Sequence, residues 1–387
     1  MEPAMFIKSL NKCSQLYLIQ LLIFLCYPCA FCNEEKGKFF VNEIRFDVIE
    51  PPVVAQKDIT ILAPTSNQQK EGKPLECSGL VWFDGYLLIT SDRHEHLLFT
   101  CSVDMNNMVI GTPQQWILVH NEQYLLNDVE SLTLLQKNDQ SYLYMMCSLS
   151  NAPNAQPLPQ RRHMLFCNVN QISPLKVDNS NVLSVETLRK QLEVCFKKIK
   201  AQPYYTYDAE YPGEDKNTYR WGNVEGITFT PDKQYLLCGM RNPLFDGAAI
   251  VFAVSEIPYR NQLIQQESMK VSDFFLLDLG DRGISDLSWD PVTRGYLITA
   301  GKSNGPRLDP DSPFPPNTLD SALFWWSGLK SDQPILVARI SDMTIEAVCR
   351  LGHSRYIVLG SDEGDVSEGR TARQSILTVL EFTGISK

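Results

Sequence analysis

Residues 223–242 read NVEGITFTPDKQYLLCGMRN, and this stretch sets the fold. From Val224 to Phe229 the residues alternate as in a half-buried strand, Pro231-Asp232-Lys233 has turn chemistry, and Tyr235 to Met240 is a second apolar run. The stretch is a β-hairpin. Its second strand runs back beside the first, so Glu225 and Arg241 emerge at the same open end. Either the two form an ion pair or they belong to a binding site.

The same grammar occurs four more times: CSGLVWFDGYLLITSDR from Cys77, DVESLTLLQKNDQSYLYMMCSLS from Asp128, GISDLSWDPVTRGYLITAGKS from Gly283 and TIEAVCRLGHSRYIVLGSDEG from Thr344. A third strand follows each copy, as in HLLFTCSV, HMLFCNV, AAIVFAV, SALFWWS and SILTVLEF, and a fourth shows in QQWILVH, DFFLLDL and PILVARI. Repeats of four antiparallel strands are the plan of an all-β fold, the β-propeller, whose blades stack around a central channel. Five blades can be counted; a sixth, built partly from FFVNEIRFDVI, is left open.

The anchor residues Ser78, Glu130, Glu225, Ser285 and Glu346 are 52, 95, 60 and 61 positions apart. Propeller repeats run to about 40–50 residues, so these blades carry long loops, and the longest interval reads as one blade with an insertion at about 171–222. Within it, SVETLRKQLEVCFKKIK forms a helix capped by Ser184, with Val185, Leu188, Leu192, Cys195, Phe196 and Ile199 on one stripe. Arg189 and the lysines lie off that stripe and are expected on a solvated face; the aromatic and acidic stretch after the helix is either a lid or packing beneath it. The last copy runs out of chain after three strands. DITILAP at 58–64 can supply the fourth and close the ring, removing exposed edges.

With 44% hydrophobic and 21% charged residues the chain is globular, and its formal charge of −10 argues against a general nucleic-acid binder. Lys8 and Lys12 precede a short apolar run from Leu16 to Tyr27, so residues 1–32 read as a secretory signal peptide and 33–387 as one propeller domain, secreted or periplasmic, with no transmembrane span in the mature chain. Seven of the 11 cysteines lie beyond the leader, with no metal-site spacing. They are expected as buried small hydrophobes, with one or two disulfides. His94-Glu95-His96 reads as a polar strand edge, and the acidic SDEGDVSEG at 361–369 as a solvated loop.

In a propeller the first strands line the channel, so their starts and the ends of the second strands share one face. That face should gather Arg93, Glu130, Glu225, Arg241, Ser285, Asp286, Lys302, Glu346 and Asp362, with Asp128, Asn223, Asp281, Arg282 and Asp342 on the loops leading in. Carboxylates can bind Ca²⁺, and Glu130, Glu225 and Glu346 are the candidate metal ligands; arginine and lysine suit phosphate or carboxylate groups. No hydrolase elbow, zincin motif or P-loop is present.

NVEGITF, GMRNPLFDGAAIVFAV and LDLGDRGISDLSWDP resemble a propeller family of uncharacterised function that carries E-G-[LI], R-x-P-L-x-D-G and R-G-I-x-D-L motifs, itself distantly similar to the esterase-like phytase propellers. The specific match covers residues 223–302, the wider similarity roughly 75–385 through the repeats, and the motifs mark Glu225, Gly226, Arg241, Pro243, Asp246, Gly247, Arg282, Gly283 and Asp286. Two functions follow as expectations. The first is a propeller binding an anionic small molecule or a protein partner; the second is a Ca²⁺-assisted phosphoesterase, with Arg93, Arg241 and Lys302 holding phosphate.

Overall fold

A computed structural model describes residues 57–62, 75–118, 126–151, 158–172, 175–199, 222–258, 268–303, 320–340, 343–362 and 374–381. The leader, the FFVNEIRFDVI segment, the aromatic stretch after the helix and most of 361–369 lie outside the described residues. Strand β1 (Lys57–Leu62) is followed by the first blade, β2 (Cys77–Phe83), β3 (Tyr86–Ser91), β4 (Leu97–Asp104), β5 (Val109–Ile110) and β6 (Gln114–Ile117); β5 and β6 share the outer edge of β4. The second blade is β7 (Val129–Lys137), β8 (Gln140–Cys147), β9 (His163–Ile172) and β10 (Leu175–Ser184), followed by helix α1 (Glu186–Ile199). The third is β11 (Asn223–Phe229), β12 (Leu236–Asn242), β13 (Ala249–Ser255) and β14 (Lys270–Leu277). The fourth is β15 (Arg282–Asp290), β16 (Gly295–Lys302), β17 (Ser321–Trp326) and β18 (Ile335–Ile340). The fifth is β19 (Thr344–Arg350), β20 (Tyr356–Asp362) and β21 (Gln374–Glu381), completed by β1.

These blades form the expected five-bladed propeller. Each first strand packs against the first strands of the two neighbouring blades, and β19 closes on β2. Hydrogen bonding also closes the ring: β1 pairs antiparallel with β21 from Lys57 opposite Val379 to Leu62 opposite Gln374, so an early strand completes the last blade.

Crowding at the channel explains the glycine of the E-G pair. A Cβ on Gly226 would stand 2.5 Å from the backbone nitrogen of Leu287 on the next blade, closer than any real side chain sits, so only glycine fits. Between blades two and three Tyr144, Phe229, Phe252 and Phe166 fill the wedge, and α1 adds Val185, Leu188, Leu192 and Phe196 to the same core. Gln191 fixes the helix further, donating to the Met269 carbonyl at 3.0 Å and accepting from the Val271 amide at 2.8 Å.

Three expectations need correction. Arg189 is not on a solvated face: it is buried and donates to Asn151 Oδ1 at 3.3 Å, because the helix lies against the loop that carries Asn151. No disulfide joins the seven cysteines; all are free thiols, six of them buried. Burial pushes Cys101, Cys147 and Cys167 up to about 12, which suppresses the thiolate and with it oxidation. His94 is also no polar edge, being buried edge-on against Phe99.

Candidate functional site

One local irregularity builds the site five times. In every blade the pairing of the first and second strands skips a residue: Ser78 between Cys77 and Gly79, Glu130 between Val129 and Ser131, Glu225 between Val224 and Gly226, Ser285 between Ile284 and Asp286, and Glu346 between Ile345 and Ala347. These are the five anchors of the repeat. A β-bulge leaves its extra residue unpaired and re-aims the side chain, so each blade contributes one side chain at the same level of the ring.

Around blades three to five the ring is closed by Arg241, at the end of β12. Its Nη1 donates to Glu225 Oε2 at 2.8 Å and to Glu346 Oε2 at 3.1 Å, its Nη2 to Glu346 Oε1 at 2.9 Å, and its Nε to the Lys302 carbonyl at 3.1 Å. One guanidinium thus ties together three blades. Glu225 is 1% exposed, and Asn223 Nδ2 donates to its other oxygen. Burial pushes both glutamates above the usual carboxylate range, with the Arg241 charge opposing that shift.

The other half of the ring is acidic and only partly neutralised. Glu76 and Asp128, each two positions before an anchor, have positive φ of 36° and 61°, an uncommon conformation for a residue with a side chain. Arg161, from the loop between β8 and β9, pairs with Asp128 at 3.0 Å and donates to Asn127 at 2.9 Å and Ser150 at 2.6 Å. Arg93 reaches Glu76 Oε2 from the rim. Glu130 has no hydrogen-bond donor among the described residues, and burial followed by the charges of Asp128 and Glu225 holds it well above the ordinary range. Asp92 is pushed up to about 9, first by burial and then by the charge of Glu76 and a hydrogen bond with it.

These groups enclose a cavity of about 220 Å³. Its wall carries four glutamates (Glu76, Glu130, Glu225, Glu346), three aspartates (Asp92, Asp128, Asp362) and two arginines (Arg161, Arg241). Both arginines are already engaged by carboxylates of that wall.

Of the residues expected here, Glu130, Glu225, Arg241 and Glu346 line the cavity, as do Asp128, Asn223 and Asp362. Arg93 touches it through Glu76, and Lys302 supplies its carbonyl to Arg241. Two others serve the frame instead. Arg282 donates to the carbonyls of Asp320, Leu279 and Gly280, and Asp286 accepts from the amides of Leu287 and Val348, each at 2.7 Å, tying β15 to β19.

Glu76, Asp92 and Arg161 escaped the sequence reading. The first two had a signal: Glu76 stands where Asp128 and Asn223 stand in their repeats, and Ser91-Asp92 matches Ser361-Asp362 at the end of the second strand. Arg161 comes from the loop between β8 and β9, outside the repeated hairpin pattern.

Glu130, Glu225 and Glu346, the residues expected to hold a metal, all line one cavity. The Arg241 guanidinium lies between Glu225 and Glu346, and among the described residues no group of three His, Cys, Asp or Glu is placed to hold an ion. Among those residues, too, no helix is long and apolar enough to cross a membrane.

No family model and no curated protein matches the chain, so the motif resemblance over 223–302 stays an expectation. Solved structures similar to it include a luciferin-regenerating enzyme, at 9% identity and TM-score 0.37 over 85% of this chain and 97% of that one. A GH43 β-1,3-galactosidase is similar at 7% identity and TM-score 0.41, over 79% and 90%. The β-propeller domain of Myceliophteria thermophila Swd1 is similar at 10% identity and TM-score 0.29, over 78% and 83%. None of these similarities is strong enough to carry chemistry across.

Proposed function

We propose that this propeller is a binding module whose channel mouth takes an organic cation, an ammonium or guanidinium group carried by a small molecule. The observation that supports this is the charge on the cavity wall: seven carboxyl groups face two arginines, and both arginines are neutralised within the wall itself. An anionic ligand would find no uncommitted cation there, since Arg93 is bound to Glu76 and Arg282 points into the frame. The volume suits a compact group, being below the roughly 300–1,000 Å³ of drug-sized sites. Carboxylates in a partly enclosed mouth also focus the field and draw cations in.

The Ca²⁺-assisted phosphoesterase needs phosphate-holding cations, whereas both arginines of this wall are engaged by its carboxylates. We place the protein outside the cytoplasm on the charged start and apolar run of residues 1–32, which N-terminal sequencing of the mature protein tests. For the ligand, thermal-shift screening against matched panels of amines, guanidines, phosphates and carboxylates is the direct test. Stabilisation by the cations alone supports the reading. Stabilisation by the anions alone contradicts it.

A further inference from the structure

The channel has a second mouth. At its end opposite the acidic ring, where the five first strands turn back into their second strands, the wall encloses a cavity of about 490 Å³, more than twice the volume of the other. Each blade places there the residues three and four positions after its anchor, and the later of the two reads Trp82, Leu134, Phe229, Trp289 and Arg350 around the ring. The size falls within the roughly 300–1,000 Å³ of small-molecule sites.

Little net charge faces this cavity. Arg350 is buried and bound to Asp290, donating through Nε at 2.9 Å and through Nη2 to the other oxygen, while Asp84, Lys233 and His353 are exposed. What the wall presents instead is aromatic surface and unengaged polar groups. The Trp82 indole lies over Gly352, where φ is +57° and a Cβ would stand 3.0 Å from Nε1, and Trp289 packs edge-on against Tyr296 with ring centroids 5.1 Å apart. Both indoles are half-buried, and among the described residues neither N–H donates a hydrogen bond. The hydroxyls of Thr133 and Ser288 make none among those residues either, although Thr133 is 6% exposed. Thr228 Oγ1 accepts from the Trp289 amide at 3.0 Å, which leaves its O–H to donate.

We propose that this second mouth binds an uncharged, flat aromatic molecule with oxygen acceptors at its edge. Indole and phenyl rings favour offset or edge-on packing against another ring, which adds to the apolar area buried. Indole N–H groups are donors only, so the ligand's edge must supply acceptors, and a donor desolvated without one would oppose binding. Because the buried cation of the wall is already paired, neither sign of ligand charge gains there. The inference goes beyond the cation-binding reading and stands independently of it, since no residue lines both cavities. The two mouths of one channel thus select different chemistry.

The test is equilibrium dialysis of the full chain with coumarin, a flat lactone that only accepts hydrogen bonds, beside octahydrocoumarin, its saturated counterpart with the same acceptor group. Coumarin should bind, and octahydrocoumarin at least about fivefold more weakly, because ring packing is lost while the acceptor remains. Trp289→Phe keeps a ring but removes the N–H, and should weaken coumarin binding about three- to tenfold. Ser288→Phe fills the cavity and should abolish it. Equal binding of the two lactones overturns the aromatic class, and tighter binding of benzoate than of coumarin overturns the uncharged one. Wild-type affinity in both variants, or no coumarin binding by the wild type, overturns the site and leaves the acidic mouth untouched. Should the variants not fold, the comparison of the two lactones on the wild type decides alone.

Discussion

Arg241 and Glu346 lie 105 positions apart and meet through two hydrogen bonds of 2.9 and 3.1 Å across the channel. Glu225, 16 positions before Arg241, takes the same guanidinium from the other side. The hairpin that carries Glu225 and Arg241 thus does form an ion pair, but the pair is half of a three-blade clamp. Removing the cation should leave two buried acids facing each other. Arg241→Met is expected to lower stability by about 3–5 kcal/mol, because an uncompensated buried charge is costly. Adding Glu225→Gln and Glu346→Gln to it should restore most of the loss. Urea unfolding of the single and triple variants checks both expectations.

The acidic corner makes stability depend on pH with a definite sign. Asp92 has a folded pKa raised to about 9 from an ordinary 3.8, so between those values the folded state holds a proton that the unfolded chain has released. Stability from this group is therefore complete below the lower value and lost as pH rises through the higher one, at up to about 1.4 kcal/mol per unit. Chemical denaturation across that window should show a decline toward alkaline pH. Asp92→Asn should flatten it.

Ring closure rests on β1. Deleting residues 57–62 would expose the whole edge of β21, whose pairing from Gln374 to Val379 is made by that strand. The truncated protein is expected to lose cooperative thermal unfolding and to associate through the free edge. Circular dichroism melting and size-exclusion chromatography read the two effects. A sharp melt at the unchanged temperature would contradict the closure.

How much of this could be read beforehand follows from which signals repeat. The hairpin pattern repeats five times, so blades, channel face and the bulge anchors were all visible in Ser78, Glu130, Glu225, Ser285 and Glu346. The fourth strand of blade two was not, because β10 reads LKVDNSNVLS and its pairing is broken between Lys176 and Val177 and between Asp178 and Asn181. Those irregularities erase the alternation that marks a strand. The sign of the cavity was hidden for a different reason. Sequence places Arg93, Arg241 and Lys302 on the right face, but whether a cation is available depends on what it already touches, and only three-dimensional contacts show Arg241 enclosed by two glutamates.

The central claim is that the channel mouth is a cation site centred on its acidic half. Glu130 tests it most directly, since it lines the cavity, has no donor among the described residues and ties no blades together. Glu130→Gln should leave the melting temperature within about a degree or two of wild type, as substitutions free of structural contacts do. Its affinity for 1,4-diaminobutane, measured by titration calorimetry, should fall at least tenfold, a loss of about 1.4 kcal/mol. Equal affinities in the two proteins, or tighter binding of inositol phosphate than of the diamine by the wild type, would contradict the account.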